Sequence, residues 1–300
     1  MKYKDLLVGV DFSPCSADAL KEAVRLAAYD NARVTVIHVL DDEVIEYLKD
    51  HTVLDETRTR YEAQVRLDHF AGIHAGGYDK VETILLKGAP FVELIKAAAE
   101  NDSDMLMLGS RGHGADETRI GAVASRCLRK APLPVFLSQD RSGQPFQQVV
   151  CCVDYSQTSK RAVTEAIRLA KLDQAALDFV HVFASPHAYQ EPAMGYVIAD
   201  FGSPQDFAKL MRQNLDTFLA PFEDEMEGIN VSRSVIDRLS VGRGIINHLG
   251  EMRADLVVLG TRGRTGWKKL LLGTTAEHVI HSVPCSALAV KPEDFHYELD

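Results

Sequence analysis

The 300-residue sequence has few cysteines, no long apolar run and no surplus of positive charge, and each shortage closes off a class of function. Its five cysteines (Cys15, Cys127, Cys151, Cys152, Cys285) are odd in number and form no C-x-x-C pair. Cys151 and Cys152 lie inside an apolar run, so the set reads as reduced, small core residues rather than as disulfides or zinc ligands. No stretch approaches the roughly 20 consecutive apolar residues of a membrane-spanning helix, and Asp5 and Asp11 interrupt the N-terminal segment before a secretion-type core can form. The expectation is a cytoplasmic protein without a membrane partner. Its 43 Asp and Glu outnumber its 33 Lys and Arg, for a formal net charge of −10. That balance gives no long-range attraction for nucleic acid, so a polyanionic ligand would have to be held by local groups.

Catalytic signatures are missing as well. The string G-x-x-x-x-G-K-[ST] does not occur, so any phosphate site is lysine-free. The 11 histidines include no H-E-x-x-H pair, and His69 and His74 are spaced off a common helical face. His38 and His181 read as strand histidines, each with a hydrogen-bond partner. Ser13, Ser16, Ser156 and Ser159 precede helical patterns and lack a G-x-S-x-G elbow, which makes them N-cap residues rather than nucleophiles. The helical stretch YEAQVRLDHFAGI is expected to be core. With no base, nucleophile or metal cluster to point to, the enzymatic reading reduces to slow phosphoryl-group hydrolysis by positioning and charge stabilisation alone.

What is present is a duplication. LLVGVDFSPCSADALKEAVRLA near the N-terminus is matched by VVCCVDYSQTSKRAVTEAIRLA from Val149, placing Asp11 opposite Asp154. RVTVIHVL is matched by ALDFVHVF, with His38 opposite His181. VETILLKGAPFVELIKAAAENDSDMLMLGSRG is matched by SRSVIDRLSVGRGIINHLGEMRADLVVLGTRG, and KAPLPVFL by SVPCSALAV. Each copy alternates buried strands with amphipathic helices, β-α-β-α-β-α-β-α-β, which implies parallel strands covered on both faces. The expected domains are 1–140 and 147–293, with 141–146 (RSGQPF) as linker and 294–300 as tail. The strands at 134–139 and 286–291 should be edges of their sheets, exposed unless covered. An intramolecular pseudo-dimer, or a homodimer, is the expected cover. The second copy also carries an irregular, Pro- and Gly-rich excursion at 184–205.

The chemistry concentrates in GTRGRTGWKKLLLGTT, residues 260–275. Gly260 and Gly263 follow an apolar strand, and Gly273, Thr274 and Thr275 open the next helical stretch. Glycines after a strand leave main-chain N–H groups open, and a helix start favours an anion. Arg262 and Arg264 could add charge. The plainer alternative, glycines that merely turn the chain, loses ground because the run lies at the carboxyl ends of parallel strands beside Asp154, where ligands of such sheets sit.

These residues resemble the universal stress protein family, of the tandem type. Its nucleotide signature G-x2-G-x9-G-[ST] is matched by Gly260, Gly263, Gly273 and Thr274, and its V-D-x-S and H-V strand ends occur in both halves. The resemblance implies two doubly wound α/β domains, each a five-stranded parallel sheet of order 3-2-1-4-5 flanked by helices. It implies ATP or another adenine nucleotide as ligand, with or without Mg2+, and stress-response partners among proteins. Asp154 would then meet the ribose, and Cys152, Val153, Val182 and Leu259 would line the adenine. The backbone around Gly263, Gly273, Thr274 and Thr275 would hold the phosphates. The first half departs from the signature: Gly109-x2-Gly112 is followed by only eight residues before Gly121, Ala122 replaces the hydroxyl, and Asp116 and Glu117 fall within the loop. It is expected to be a degenerate partner. The rival readings are a nucleotide-independent scaffold and a weak ATPase.

Overall fold

The computed structural model of the chain describes residues 2–51, 55–112, 120–139, 143–185, 203–263 and 272–295. The chain divides into two compact units, the second running from Pro145 to Asp294.

In the first unit, β1 (Asp5–Gly9) leads into α1 (Pro14–Asp30), β2 (Arg33–Asp41), α2 (Asp42–His51), α3 (Glu56–His74), β3 (Val81–Gly88), α4 (Pro90–Glu100), β4 (Met105–Gly109), α5 (Ala122–Lys130) and β5 (Val135–Ser138). Its strands lie in the order β3-β2-β1-β4-β5. They are parallel, with Leu7 between Thr35 and Leu106. The second unit repeats this with β6 (Gln148–Cys152), α6 (Gln157–Asp173), β7 (Ala176–Phe183), α7 (Pro204–Leu219), β8 (Val231–Asp237), α8 (Val241–Met252), β9 (Leu256–Gly260), α9 (Thr274–Ser282) and β10 (Ser286–Val290). Its order is β8-β7-β6-β9-β10, also parallel. Each unit is the α/β doubly wound sheet of order 3-2-1-4-5 that the repeat and the resemblance implied. The central strands are apolar on both faces because helices cover both; Leu6, Leu7 and Val8, and Val149, Val150 and Cys151, have no exposed surface.

The duplication extends to single hydrogen bonds. Ser13 Oγ accepts the Ser16 N–H at 3.2 Å to cap α1, and Ser156 Oγ accepts the Ser159 N–H at 3.1 Å to cap α6. Asn31 (φ 59) and Gln174 (φ 55) end those helices in the left-handed region. Asp30 accepts the Tyr3 N–H at 2.9 Å, and Asp173 the Phe146 N–H at 2.7 Å, so each incoming strand starts with its amides satisfied.

Three expectations need correction or bounds. Helix α2 follows β2 with no breaking residue, and its strand-helix junction went unread. Helix α3 buries only Leu67 and Ala71, while Tyr61, Val65 and Ile73 are exposed, so most of YEAQVRLDHFAGI is a surface helix rather than core. Its apolar residues are spread around the axis, which lets only one narrow stripe reach the sheet. Most of the 184–205 excursion, together with Asp116 and Glu117, lies outside the described residues. The five cysteines form no disulfide; four are buried and Cys152 is half-buried. Among the described residues no helix is long and apolar enough to cross a membrane.

Candidate functional site

The turn after β6 fixes the site's first wall. Asp154 Oδ1 accepts the Ser156 N–H at 3.0 Å, a tight Asp turn that forces the intervening Tyr155 to φ 65. A bulky residue there is strained and must be held by its surroundings. The Tyr155 ring lies on His181 with centroids 4.4 Å apart and meets Phe218 edge-on at 5.5 Å. His181 is oriented in turn by a 2.7 Å hydrogen bond from Nδ1–H to the Val153 carbonyl. A carbonyl only accepts, so this bond sets the proton on Nδ1. The first unit repeats the device: Phe12 has φ 65, its ring lies 4.4 Å from His38, and His38 Nδ1 donates to Val10 O at 2.8 Å. Burial holds His38 below the ordinary histidine value, with Arg66 adding to the effect against the pull of Val10 O and Asp11. Sequence reasoning gave these histidines a partner but missed the strained aromatic; the one available signal was a bulky residue between Asp and Ser in both copies.

The second wall is the segment after β9. A side-chain carbon at Gly263 would stand 2.7 Å from Asp154 Oδ2, so only glycine lets the carboxylate lie against this backbone. Gly260 is packed less severely, 3.0 Å from the Thr158 methyl. Gly273 has φ −68 and ψ 143, which any residue adopts, and a Cβ there would meet Thr261 O at an ordinary 3.4 Å. Its N–H donates to Thr261 O at 2.8 Å. The expectation that this amide holds phosphate is therefore corrected: it already closes the neck of the loop. Helix α9 has no side-chain cap, so the amides of its first turn, Thr274, Thr275 and Ala276, are the ones an anion can use.

Between these walls lies a cleft of about 460 Å3, a size that suits a small-molecule ligand. Cys152, Val153, Asp154, Val182, Leu259, Gly260, Arg262, Gly263, Gly273, Thr274 and Thr275 all border it; Arg264 lies outside the described residues. Sequence reasoning did not name Val180, His181, Val241, Ile245, Thr261 and Ala276, which border it too. Val241 and Ile245 come from α8, one helical turn apart, and no motif links that helix to the glycines. The cleft is apolar toward β6, β7 and α8 and polar toward α9. Arg262 is not a free cation: Nη1 pairs with Asp294 at 3.0 Å, while Nε is buried without a hydrogen-bond partner. Burial raises the Cys152 thiol far above the ordinary range, so it stays protonated. Among the described residues no cluster of three or more His, Cys, Asp or Glu could hold a metal ion.

The first unit carries a corresponding cleft of about 230 Å3, half as large, bordered by Asp11, His38, Gly109, Gly112, Gly121 and Ala122. A side chain at Gly112 would again meet the carboxylate, here Asp11 Oδ2 at 2.7 Å. The Asp-glycine contact is thus common to both halves, whereas the hydroxyls of Thr274 and Thr275 and the larger volume belong to the second.

Comparison with known proteins agrees with this architecture. The chain is 24% identical over 318 residues to universal stress protein E of Escherichia coli, covering 99% of this chain and 98% of that protein. It is 29% identical over 294 residues to a universal stress protein of Mycobacterium tuberculosis, covering 94% and 95% respectively. A crystal structure of a universal stress protein from Archaeoglobus fulgidus superposes with a TM-score of 0.66 at 20% identity, over 98% of each chain, and so shares the fold. The model of the universal stress protein family matches twice, over residues 2–138 and 145–291, and the chain is a tandem member of that family.

Proposed function

We propose that the protein binds ATP or a related adenine nucleotide in the cleft of its second unit and responds to it by changing its contacts with protein partners. The observation that carries this reading is the convergence on one cleft of Asp154 with the glycines after β9 and the uncapped start of α9, which lie more than a hundred residues further along the chain. Val153, Val182, Ile245 and Leu259 form an apolar wall suited to a purine, and Asp154 Oδ2, not used in the Ser156 turn, is the acceptor for ribose hydroxyls. The α9 amides suit phosphate oxygens, and any Mg2+ would arrive with the nucleotide, since the described residues offer no cluster of ligands for it. The titratable groups at the cleft are committed: Asp154 to the turn, His181 to Val153 O, Arg262 to Asp294. That favours a binder over a hydrolase.

Titration calorimetry with ATP, ADP and AMP tests the reading. The expected result is one site per chain, lost in Asp154→Ala and kept in Asp11→Ala. Two equivalent sites, or a site that depends on Asp11 alone, would overturn it.

A further inference from the structure

Helix α8 has two working faces. Val241 and Ile245 border the cleft described above, whereas Gly244, Asn247, His248 and Glu251 border a separate groove of about 260 Å3 on the other side, against β8 and α7. A further cavity of about 400 Å3 adjoins this groove, and Arg238, Gly244 and Asn247 belong to both.

The arginines here, like Arg161, which donates to the Lys291 carbonyl at 2.6 Å, have no carboxylate partner among the described residues. Arg25, Arg33, Arg58, Arg233 and Arg262 each pair with a carboxylate. Among the described residues Arg212, Arg238 and Arg243 form no ion pair; Arg212 and Arg238 donate only to the backbone carbonyls of Arg233 (3.0 Å) and Asp237 (2.9 Å). Arg212 and Arg238 border the groove with Glu251, and Arg238 and Arg243 border the adjoining cavity with Asp237; guanidinium groups outnumber carboxylates at both, a local attraction for an anion in a chain of net charge −10.

The floor is built as well. His248 is 7% exposed, and its Nε2 bonds Asp178 Oδ2 at 2.8 Å, beneath the groove. Asp178 also accepts from the Ser232 and Ser234 hydroxyls. The first unit has Thr35 and Ala97 at the positions of Asp178 and His248, so the dyad belongs to the second unit alone. Helix α8 begins at Ser240 without a side-chain cap, which adds main-chain donors beside Arg238 and Arg243. Of the nearby carboxylates, Asp237 borders only the adjoining cavity and is held by the Ser185 N–H at 2.9 Å and by its hydroxyl. Glu251 lies one turn beyond His248 and supplies an acceptor.

We propose that this groove is a second ligand site, for a small molecule carrying a phosphate monoester whose phosphate rests on Arg238, the cationic residue common to both cavities. Because α8 is also a wall of the first cleft, occupancy of one site bears on the other.

Phosphorus NMR and calorimetry with inorganic phosphate and glycerol 3-phosphate test it on the full chain. Saturable binding with a Kd of about 1 mM or tighter is expected, weakened about tenfold by Arg238→Ala and less by Arg212→Ala or Arg243→Ala. All three side chains are on the surface, and circular dichroism checks that the variants fold. Gly263→Val, aimed at the other cleft, should leave phosphate binding intact, which separates this site from the nucleotide reading. Absence of saturable binding, indifference to Arg238→Ala, or loss in Gly263→Val would each overturn the proposal.

Discussion

Asp154 and Gly263 lie in close contact: the carboxylate Oδ2 sits 2.7 Å from where a side chain at 263 would begin, so any larger residue there must push the carboxylate aside. The neighbouring Gly273 has no such constraint. Two glycines of one motif therefore have different physical reasons. Gly263→Ala should displace the Asp154 carboxylate and weaken ATP binding about tenfold or more, the order of a lost charge-assisted hydrogen bond, while Gly273→Ala should stay within about threefold of the parent. Calorimetric dissociation constants for both variants decide it; equal losses would mean that the loop acts as a whole rather than through Asp154.

Arg262 sits between two claims, the cleft it borders and Asp294, to which it is paired at 3.0 Å. Asp294 is mostly exposed, so the pair is weak and screened by salt. Arg262→Ala should cost ATP affinity less than about tenfold, and Asp294→Ala should improve it by about two- to threefold at low salt, with the gain shrinking as salt rises. An Asp294→Ala variant that binds less well would show that the pair positions Arg262 for the ligand instead of competing with it.

The repeat made most of this legible. Val, Ile and Leu runs ending in Val-Asp or in Gly mark the strands because a strand buried on both faces has to be apolar throughout. Ser13 and Ser156 announce helix starts through a local hydrogen bond that spans only three residues. What escaped were relationships set by tertiary packing. Asp178 and His248 are 70 positions apart and carry no spacing signature. The Gly273 N–H was assigned to a ligand because sequence cannot show that Thr261 O already accepts it. Helix α3 read as core because its apolar residues recur at ordinary helical spacing, although in the fold only Leu67 and Ala71 are buried.

Ser13 and Ser156 offer a test of the two units' independence. Each hydroxyl accepts an amide at its helix start and donates to the carbonyl after a neighbouring strand, Ser13 to Arg111 O at 3.3 Å and Ser156 to Arg262 O at 3.5 Å. Ser13→Ala and Ser156→Ala should each lower stability by about 1 kcal/mol, and by up to about 2 where both bonds count. In urea titrations followed by hydrogen exchange, Ser13→Ala should deprotect β1 and β2, and Ser156→Ala β6 and β7. Identical exchange patterns in both variants would show that the chain unfolds as one cooperative whole.

The Asp178–His248 pair predicts the acid behaviour of the second unit. Burial alone would raise the Asp178 carboxyl, but hydrogen bonds from His248, Ser232 and Ser234, with the charge of His248, outweigh it and hold the group below its ordinary value of 3.8. A carboxylate whose value is depressed on folding contributes its full stability above the ordinary value and loses it as the pH falls through the native one. This contribution is thus constant from neutral pH down to about 4 and disappears below that. Asp178→Ala leaves the buried His248 without its carboxylate, while the Ser232 and Ser234 hydroxyls can reach water, and should cost about 3 kcal/mol at neutral pH. Asp178→Asn keeps the shape and part of the hydrogen bonding, so it should cost less and flatten the acid limb of the stability curve. Urea midpoints from pH 7 down to about 3 measure both effects. An Asn variant with the parent's acid limb would mean that other carboxylates govern acid unfolding and that Asp178 is held by packing rather than by its charge.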